Sequence, residues 1–378
     1  MFQLPRTVLC SKPLSRLSTS ASISCRPSLA RVLVKRSSFS VAPCYQLCLR
    51  KTTTIVEIPK LSVPNRVVHR TRSSSHKFAA VAGAMEFPTP VTSGDWLEKH
   101  LDRVKVVDAS WYMPNAKRDP SIEYTSERIP GAVFFDIDGI SDTASDLPHM
   151  LCSADSFAAA ADALGITNED PVVIYDGSGL FSAARAWWTF KIFGHRQVAV
   201  LEGGLPQWKS EGRQVDSSSP ALPADTGAKA TSAEGAAGTR KYTARLEVDG
   251  VRSVEQMLDN VTAGKEQVVD ARGAARFKAG PEPRPGLRSG HIPNSMNVPF
   301  TEVLTAAGGL RPDAELQQVF EAAGVDVNKP IVTSCGTGVT ACVLSLALDK
   351  LQSKQVAVYD GSWTEWGGRT DTPIETDE

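Results

Sequence analysis

One cysteine stands at the point where a predicted strand gives way to a predicted helix. Residues 331–334 form a short apolar run, residues 341–351 form an apolar helical segment, and Cys335 opens the loop between them. The unpaired N–H groups of a helix's first turn and the helix dipole favour negative charge, so they should stabilise a thiolate here. Gly336 and Gly338 allow the backbone to curl until successive N–H groups point at one centre. The pattern fits a catalytic thiolate and a buried structural cysteine about equally well.

The other cysteines indicate neither a disulfide framework nor a zinc site. The chain of 378 residues has seven cysteines, and after the first 84 residues only Cys152, Cys335 and Cys342 remain. Their spacing matches neither arrangement, which favours a reducing compartment. No metal and no organic cofactor is implied. Cys342 follows Cys335 by two helical turns and is predicted to be packed in the core, and a redox role for Cys342 or Cys152 is left open.

Charge is distributed unevenly along the chain. From Met1 to Val56 there are nine Lys or Arg residues and no acid, and serine is abundant. A start that is rich in Arg and Ser and poor in acids is typical of an organelle transit peptide, which we assign to residues 1–84. We favour a mitochondrial destination, with the chloroplast as the alternative organelle, and a disordered basic tail as the alternative to targeting. Initiation at Met85 would give a cytosolic form.

The rest of the chain is acidic. Residues 1–84 hold 14 Lys and Arg and one acid, so from Met85 onward 27 basic residues stand against 41 acidic ones, a net charge of −14. This balance argues against a nucleic-acid partner. No apolar run approaches the ~20 residues that a membrane-spanning helix needs, so no membrane partner is predicted.

The body of the chain repeats itself. Four segments recur in the same order at offsets of 158 to 163 residues, which indicates a duplication. The matched pairs are 106–109 with 268–271, 128–132 with 291–295, 171–177 with 330–336, and 200–208 with 358–366. Each half alternates short apolar strands with helical segments. The predicted fold class is therefore α/β, with two tandem domains that each have a mainly parallel sheet flanked by helices.

The predicted boundaries are an N-terminal domain at 85–215, a linker at 216–243 and a C-terminal domain at 244–378. The linker is rich in Ser, Ala, Gly, Pro and Thr and has no periodicity. Where the second half has Cys335, the first half has Asp176, and a carboxylate cannot do the nucleophilic work of a thiolate. We therefore predict that only the C-terminal domain is catalytic and that the N-terminal domain forms one wall of a cleft.

These features together resemble the tandem rhodanese sulfurtransferases. The resemblance is carried by paired halves with a lone cysteine in the second, and by motifs at 128–131 (Arg-Ile-Pro-Gly), 187–188 (Trp-Trp) and 360–363 (Asp-Gly-Ser-Trp). It covers roughly residues 86–373. The loop that begins at Cys335 resembles that of the 3-mercaptopyruvate sulfurtransferases, because thiosulfate-preferring members carry basic residues after the cysteine. With its long presequence, the chain resembles the plant organellar thiosulfate/3-mercaptopyruvate sulfurtransferases.

The resemblance implies four catalytic residues. Cys335 matches the nucleophile that accepts sulfur as a persulfide. Thr337 takes the loop position of a family Ser whose hydroxyl faces the substrate carbonyl. Asp138 and His149 match an acid and a histidine that the family pairs with that hydroxyl in a relay. A histidine held by a carboxylate can pass a proton near neutral pH.

The resemblance also implies a substrate-binding set. Arg276 and Arg284 match two arginines that hold the substrate carboxylate and keto oxygen, a task suited to the planar guanidinium because it forms paired, charge-assisted hydrogen bonds. The other expected contacts come from the cysteine loop and from three aromatic residues along the cleft: Gly336, Gly338, Val339, Thr340, Trp111, Tyr112 and Phe181. Arg185 is interpreted as an interdomain or buried ion-pair residue.

The predicted function is the transfer of sulfane sulfur from 3-mercaptopyruvate, with thiosulfate as a weaker donor, through a Cys335 persulfide. The acceptors are cyanide, small thiols or a protein dithiol such as that of thioredoxin, and pyruvate is released. The alternatives are a non-catalytic persulfide carrier or regulatory binding module, and a thiosulfate:cyanide sulfurtransferase. A phosphatase is disfavoured, because phosphate-handling cysteine loops end in Arg and here Ala341 and Cys342 stand six and seven residues after the cysteine.

Overall fold

The computed structural model describes residues 87–219 and 242–376, which form two similar α/β halves. The predicted transit peptide, the alternative start at Met85 and most of the predicted linker lie outside these residues, so those three remain predictions. In the two described ranges, no helix is long and apolar enough to cross a membrane.

The first half alternates five strands with five helices. The strands are β1 (Val91–Thr92), β2 (Lys105–Asp108), β3 (Val133–Phe134), β4 (Val172–Tyr175) and β5 (Val198–Leu201). The helices are α1 (Gly94–Glu98), α2 (Pro120–Ser126), α3 (Ala154–Ala163), α4 (Ala183–Ile192) and α5 (Gly204–Ser210), and a short 3₁₀ turn covers Pro114–Ala116.

The second half repeats this alternation. Its strands are β6 (Val251–Arg252), β7 (Gln267–Asp270), β8 (Met296–Asn297), β9 (Ile331–Ser334) and β10 (Val356–Tyr359). Its helices are α6 (Val254–Ala263), α7 (Ala274–Phe277), α8 (Asp313–Ala322), α9 (Ala341–Lys350) and α10 (Ser362–Gly368), and 3₁₀ turns cover Val248–Gly250 and Phe300–Val303.

Each half contains one five-stranded, wholly parallel sheet. The strand orders are β1-β5-β4-β2-β3 and β6-β10-β9-β7-β8, which are the same arrangement twice. The predicted fold class and duplication are therefore confirmed. The central strand of each sheet, β4 or β9, ends at the segment that carries Asp176 or Cys335. In parallel sheets of this kind, binding sites form at the carboxyl ends of the strands.

The central strands and the helices after them are buried because their sequences are apolar on every side. All four residues of β4 and of β9 are buried, as expected for a parallel sheet covered on both faces. The helices α4 and α9 are also buried almost all round, which is unusual for a surface helix and typical of one enclosed in a core. Buried side chains of α4 and α9, including Trp187 and Leu344, belong to one apolar cluster that runs through both halves.

Residues 242–247 pack against the first half. Tyr242 is buried and packs edge-on against Phe157 of α3, with ring centroids 5.6 Å apart. The backbone N–H groups of Arg245 and Glu247 donate to the carbonyl groups of Phe193 and Ile192 at 3.1 and 2.8 Å. Residues 242–247 therefore follow the first half before the second sheet begins.

A buried ion pair joins the two halves. Nη1 of Arg185, on α4, lies 2.7 Å from Oδ1 of Asp360, which follows β10, and both side chains are only 4% exposed. The second oxygen of Asp360 accepts the backbone N–H of Leu151 at 2.7 Å. The interpretation of Arg185 as an interdomain ion-pair residue is confirmed.

We predict that Asp360→Ala lowers the free energy of unfolding by ~3–5 kcal/mol, because it leaves the Arg185 guanidinium buried without a carboxylate. The matched control is Asp349→Ala, which removes an exposed carboxylate that pairs with Lys191 on the same helix α4. That control should cost at most ~1 kcal/mol. Urea denaturation of the two variants measures both values, and equal losses would contradict the prediction.

Candidate active site

Cys335 is fixed by its backbone at the carboxyl end of β9, and it is 2% exposed. Its N–H donates to Oγ of Ser362 at 3.1 Å, and its carbonyl oxygen accepts the N–H of Trp363 at 2.9 Å. Thr364 donates to the carbonyl oxygen of Gly336 through both its N–H, at 2.9 Å, and its hydroxyl, at 2.7 Å. The start of α10 therefore holds the loop in place and leaves the sulfur of Cys335 out of these bonds.

The loop after Cys335 passes too close to its neighbours for a side chain at its second glycine. Gly338 has φ +78°, and a Cβ atom there would lie 2.8 Å from the carbonyl oxygen of Asp360 and 2.9 Å from Nη1 of Arg185. Thr337 and Val339 are buried in the same turn, and Thr340 is the residue from which α9 begins. The predicted loop residues thus surround Cys335 between its strand and its helix.

The corresponding loop of the first half binds an anion. The carboxylate of Asp176 is fully buried and accepts the backbone N–H groups of Ser178, Phe181 and Ala183, each at 2.8 Å. Burial raises the pKa of Asp176, and these N–H bonds act in the opposite direction. The loop of the second half is one residue shorter, because α9 begins 158 residues after α4 whereas Cys335 follows Asp176 by 159. The first half thus shows that a loop between such a strand and helix can form a cradle of N–H groups suited to a negatively charged atom.

Two guanidinium groups converge on the residue after Cys335. A Cβ atom on Gly336 would lie 3.5 Å from Nη2 of Arg276, on α7, and 3.9 Å from Nη1 of Arg284. The pKa of Arg284 is lowered, first by burial and then by the positive charge of Arg276. Nη2 of Arg276 donates to Oε2 of Glu282 at 2.6 Å. The structure therefore brings both predicted arginines to the cysteine loop, where two guanidinium groups would suit a small anion.

The predicted acid and histidine lie together in the first half. Nδ1 of His149 is 2.9 Å from Oδ1 of Asp138, although the contact lacks the alignment of a hydrogen bond. His149 lowers the pKa of the Asp138 carboxyl group. The His149 side chain is 4% exposed, and in the described ranges its Nε2 has no hydrogen-bond partner. A buried nitrogen without a partner is costly, so a group that arrives with a substrate would be a favourable partner for it.

Two of the three predicted aromatic residues pack around this pair. Nε1 of Trp111 donates to Oδ2 of Asp138 at 3.0 Å, and its ring meets the His149 ring edge-on at 4.7 Å between centroids. The Phe181 ring stacks on that of Trp111, with centroids 6.2 Å apart, and packs against the ring of Phe300 in the second half, with centroids 5.7 Å apart. Trp111 and Phe181 therefore form an apolar wall that reaches the second half.

Arg185 connects the histidine to the cysteine loop. Its Nη2 donates to the backbone carbonyl of His149, and its Nη1 donates to that of Gly338 at 3.4 Å as well as to Asp360. His149 itself adopts φ +62°, a left-handed conformation that non-glycine residues seldom take. One buried guanidinium thus fixes the loop of the first half against the loop of the second.

Tyr112 lies at the loop of the first half and is not brought to the cysteine loop. Its hydroxyl donates to Oε2 of Glu123 at 2.7 Å and accepts a bond from Arg118 at 2.8 Å. A Cβ atom on Gly177, the counterpart of Gly336, would lie 2.2 Å from this hydroxyl. The structure therefore places the Tyr112 side chain against the loop of the first half that contains Gly177.

Sequence reasoning missed two polar residues of the site. Glu282 is bonded to Arg276, and Ser362 accepts the N–H of Cys335. An acid between two prolines in a segment bounded by the two arginines was a signal for Glu282, and the hydroxyl at the third position of the Asp-Gly-Ser-Trp motif was a signal for Ser362.

The other two described thiols are buried away from solvent. Burial raises the pKa of Cys342 to about 12 and that of Cys152 to about 11. Sγ of Cys342 donates to the carbonyl oxygen of Gly338 at 3.1 Å. The prediction that Cys342 is packed in the core is confirmed.

Two other features of the described chain lie outside this site. A cavity of ≈ 590 Å³ opens between the start of the first half, the end of α4 and residues 243–247, and it contains none of the predicted site residues. In residues 87–219 and 242–376, no group of three or more His, Cys, Asp or Glu side chains is arranged to hold a metal ion.

Comparison with known proteins gives matches over both halves. A family model described as a Rhodanese-like domain matches residues 93–211 and again residues 253–369. The chain is 45% identical over 301 residues to thiosulfate/3-mercaptopyruvate sulfurtransferase 1, mitochondrial, of Arabidopsis thaliana, which covers 76% of this chain and 79% of the relative. It is 42% identical over 285 residues to the 3-mercaptopyruvate sulfurtransferase of Escherichia coli K12, which covers 74% and 96%.

Solved structures give the same result. The crystal structure of SseA from Escherichia coli superposes with a TM-score of 0.62 at 38% identity, covering 73% of this chain and 99% of that one. The crystal structure of Tum1 from Saccharomyces cerevisiae superposes with a TM-score of 0.67 at 31% identity, covering 76% and 99%.

We predict that iodoacetamide at pH 8 labels Cys335 before Cys342 or Cys152 in the native protein. The raised pKa values of the latter two keep them protonated and unreactive, whereas Cys335 opens the loop that Arg276 and Arg284 face. Mass spectrometry of the three cysteine peptides measures the order. In urea all three should react, which is the control, and earlier native labelling of Cys342 or Cys152 would contradict the prediction.

Proposed function

The chain belongs to the tandem-domain rhodanese family and is a sulfurtransferase, and we propose that it takes sulfur from 3-mercaptopyruvate through a persulfide on Cys335. Thiosulfate is the weaker donor. The observation that carries the proposal is the convergence of Arg276 and Arg284 on the residue after Cys335, because a keto acid offers a carboxylate and a carbonyl oxygen to paired guanidinium groups. The C-terminal half is the catalytic one, and the first half supplies the opposite wall.

In the first step the Cys335 thiolate attacks the sulfur of 3-mercaptopyruvate. A sulfur–sulfur bond forms, the carbon–sulfur bond breaks, and its electron pair leaves on carbon as the enolate of pyruvate. The proton of the donor thiol ends on that carbon, so the products are pyruvate and the deprotonated persulfide. Neither an oxidant nor a reductant is needed.

The N–H cradle is proposed to hold the outer sulfur of the persulfide. The support comes from the first half, in which the loop after the matching strand β4 surrounds the carboxylate of Asp176 with three N–H donors at 2.8 Å. Donors fixed in advance around a developing negative charge stabilise it without reorganisation. The cradle would serve both the attacking thiolate and the charged persulfide.

The His149–Asp138 pair is proposed to move the proton from the donor thiol to the enolate carbon. Nε2 of His149 is buried and has no partner among residues 87–219 and 242–376, so it is available to a bound substrate. The hydroxyl of Thr337, buried in the cysteine loop, would face the substrate carbonyl and complete the relay. Trp111 and Phe181 limit the access of water to this side, which favours defined proton transfer.

The second step regenerates the free thiolate of Cys335. Cyanide removes the outer sulfur as thiocyanate and leaves the Cys335 thiolate. A protein dithiol such as that of thioredoxin, or two small thiols, can remove the same sulfur as sulfide and become a disulfide. No basic side chain follows Cys335 in its loop, which supports the preference for a keto-acid donor over thiosulfate.

Residues 1–84 are proposed to direct the protein to mitochondria. Their basic, acid-poor composition supports this, as does the mitochondrial location in the name of the Arabidopsis relative. The plastid and a cytosolic form starting at Met85 are the alternatives. Import of the full chain, but not of the form starting at Met85, into isolated mitochondria tests the proposal.

Steady-state kinetics of the full chain with each donor, with cyanide as acceptor, test the function. We expect a clearly higher kcat/KM for 3-mercaptopyruvate than for thiosulfate and no turnover by Cys335→Ser, because serine cannot form a persulfide. Cys342→Ala is the control and should stay active. An active Cys335→Ser variant would refute the mechanism, a preference for thiosulfate would refute the donor assignment, and a persulfide that forms without turnover would favour the carrier alternative.

The same assay tests the anion site. Arg276→Ala should raise KM for 3-mercaptopyruvate by the equivalent of ~1.5–3 kcal/mol, the value of a hydrogen bond to a charged group. Arg118→Ala is the matched control, since Arg118 lies beside Gly177 in the first half and should leave KM unchanged. An unchanged KM in Arg276→Ala would remove Arg276 from the site.

A further inference from the structure

Glu282 is a buried carboxylate shared between two arginines. Its side chain is 2% exposed, its Oε1 accepts Nη1 of Arg272 at 2.8 Å, and its Oε2 accepts Nη2 of Arg276 at 2.6 Å. The proposed mechanism does not use Glu282. Both of its oxygens are nevertheless bonded to charged donors, one of which is a substrate-binding residue.

Arg272, on the other side of Glu282, is rigid. Its Nε and Nη2 donate to Oδ2 of Asp270 at 2.9 and 2.7 Å, its Nη2 also donates to the carbonyl of Gly290 at 2.8 Å, and its guanidinium lies 4.2 Å from the ring centre of Trp363. The Arg272 side chain is 1% exposed. Glu282, held by the rigid Arg272, therefore fixes the position of the partly exposed guanidinium group of Arg276.

The charges of this network do not cancel at the cysteine loop. Asp270 balances Arg272, and Glu282 balances one of the two guanidinium groups of Arg276 and Arg284. Apart from the Cys335 thiolate, which both donors meet, one net positive charge is left facing the Cys335 loop. Burial weakens screening by salt and water, so a change of one charge here alters anion binding more than it would at the surface.

We propose that Glu282 sets the donor selectivity of the enzyme by matching this single net charge to a monoanionic keto acid. The carboxylate of 3-mercaptopyruvate carries one negative charge, whereas thiosulfate is a dianion at neutral pH. Glu282 is a positioning residue, since it acts through Arg276 and through the charge it removes from the site. The inference rests on the proposed function and adds the origin of its donor preference.

The test measures kcat/KM for 3-mercaptopyruvate and for thiosulfate, with cyanide as acceptor, in full-length variants. Glu282→Gln keeps the size of the side chain and removes its charge, so the ratio of thiosulfate to 3-mercaptopyruvate activity should rise by about tenfold or more. Glu282→Asp keeps the charge but is too short to reach both arginines. It should lower both activities while the ratio stays within about twofold of the native value.

The matched control is Glu123→Gln in the first half. Glu123 accepts bonds from Arg118 and from Tyr112 beside Gly177, so this variant makes the same change of net charge in an arginine–glutamate pair beside the loop of the first half. Both activities and their ratio should stay at the native values. A change in the ratio for Glu123→Gln would mean that total charge, and not Glu282, sets selectivity.

The outcomes separate the two proposals. If Glu282→Gln lowers both activities by the same factor, Glu282 is only structural and the inference is wrong. If the native enzyme turns over neither donor, the proposed function itself fails. Should Glu282→Gln not fold, Glu282→Asp remains decisive, because it keeps the charge while it loses the shared bonds. A ratio within about twofold of the native value supports the charge match, and a larger change in the ratio overturns it.

Discussion

The buried ion pair between Arg185 and Asp360 is the constraint on which the rest of the site depends. Removing two charges from water is expensive, and such a pair contributes more to the choice of one arrangement than to stability. Here Arg185 also bonds to the carbonyl groups of His149 and Gly338, and Asp360 bonds to the N–H of Leu151. The relative position of the histidine loop and the cysteine loop is therefore set by one pair of charges at the boundary between the halves.

Duplication gives the two halves matching loops whose surroundings differ. The same sheet order places a loop and a glycine at equivalent positions twice, and an arginine–glutamate pair lies beside each glycine. In the first half, the Tyr112 hydroxyl lies against Gly177 and occupies the space beside the loop. In the second half, Arg276 and Arg284 face the equivalent glycine instead. A few side chains thus distinguish the surroundings of the two loops.

The fold and the position of Cys335 between a strand and a helix could be predicted because their signals are local. A short apolar run, a glycine-containing loop and an internal repeat predict β9, Cys335 and α9 from neighbouring residues alone. The partner of Arg185, 175 residues away, and the bond from Ser362 to Cys335 depend on packing that no local pattern encodes. Tyr112 was assigned to the cleft through the family resemblance, and its bonds to Glu123 and Arg118 at the first-half loop also depend on packing that no local pattern encodes. Glu282 was overlooked because an acid in a loop is usually solvated.

The carboxylate of Asp176 has a consequence for how the two loops behave over time. In the first half, the anion that fills the N–H cradle is part of the chain and never leaves, so that loop is a receptor with its ligand built in. In the proposed mechanism the second half instead receives a sulfur atom that arrives with one substrate and departs with another. One of two related loops would then be filled and emptied in each catalytic cycle, while the other keeps its anion throughout.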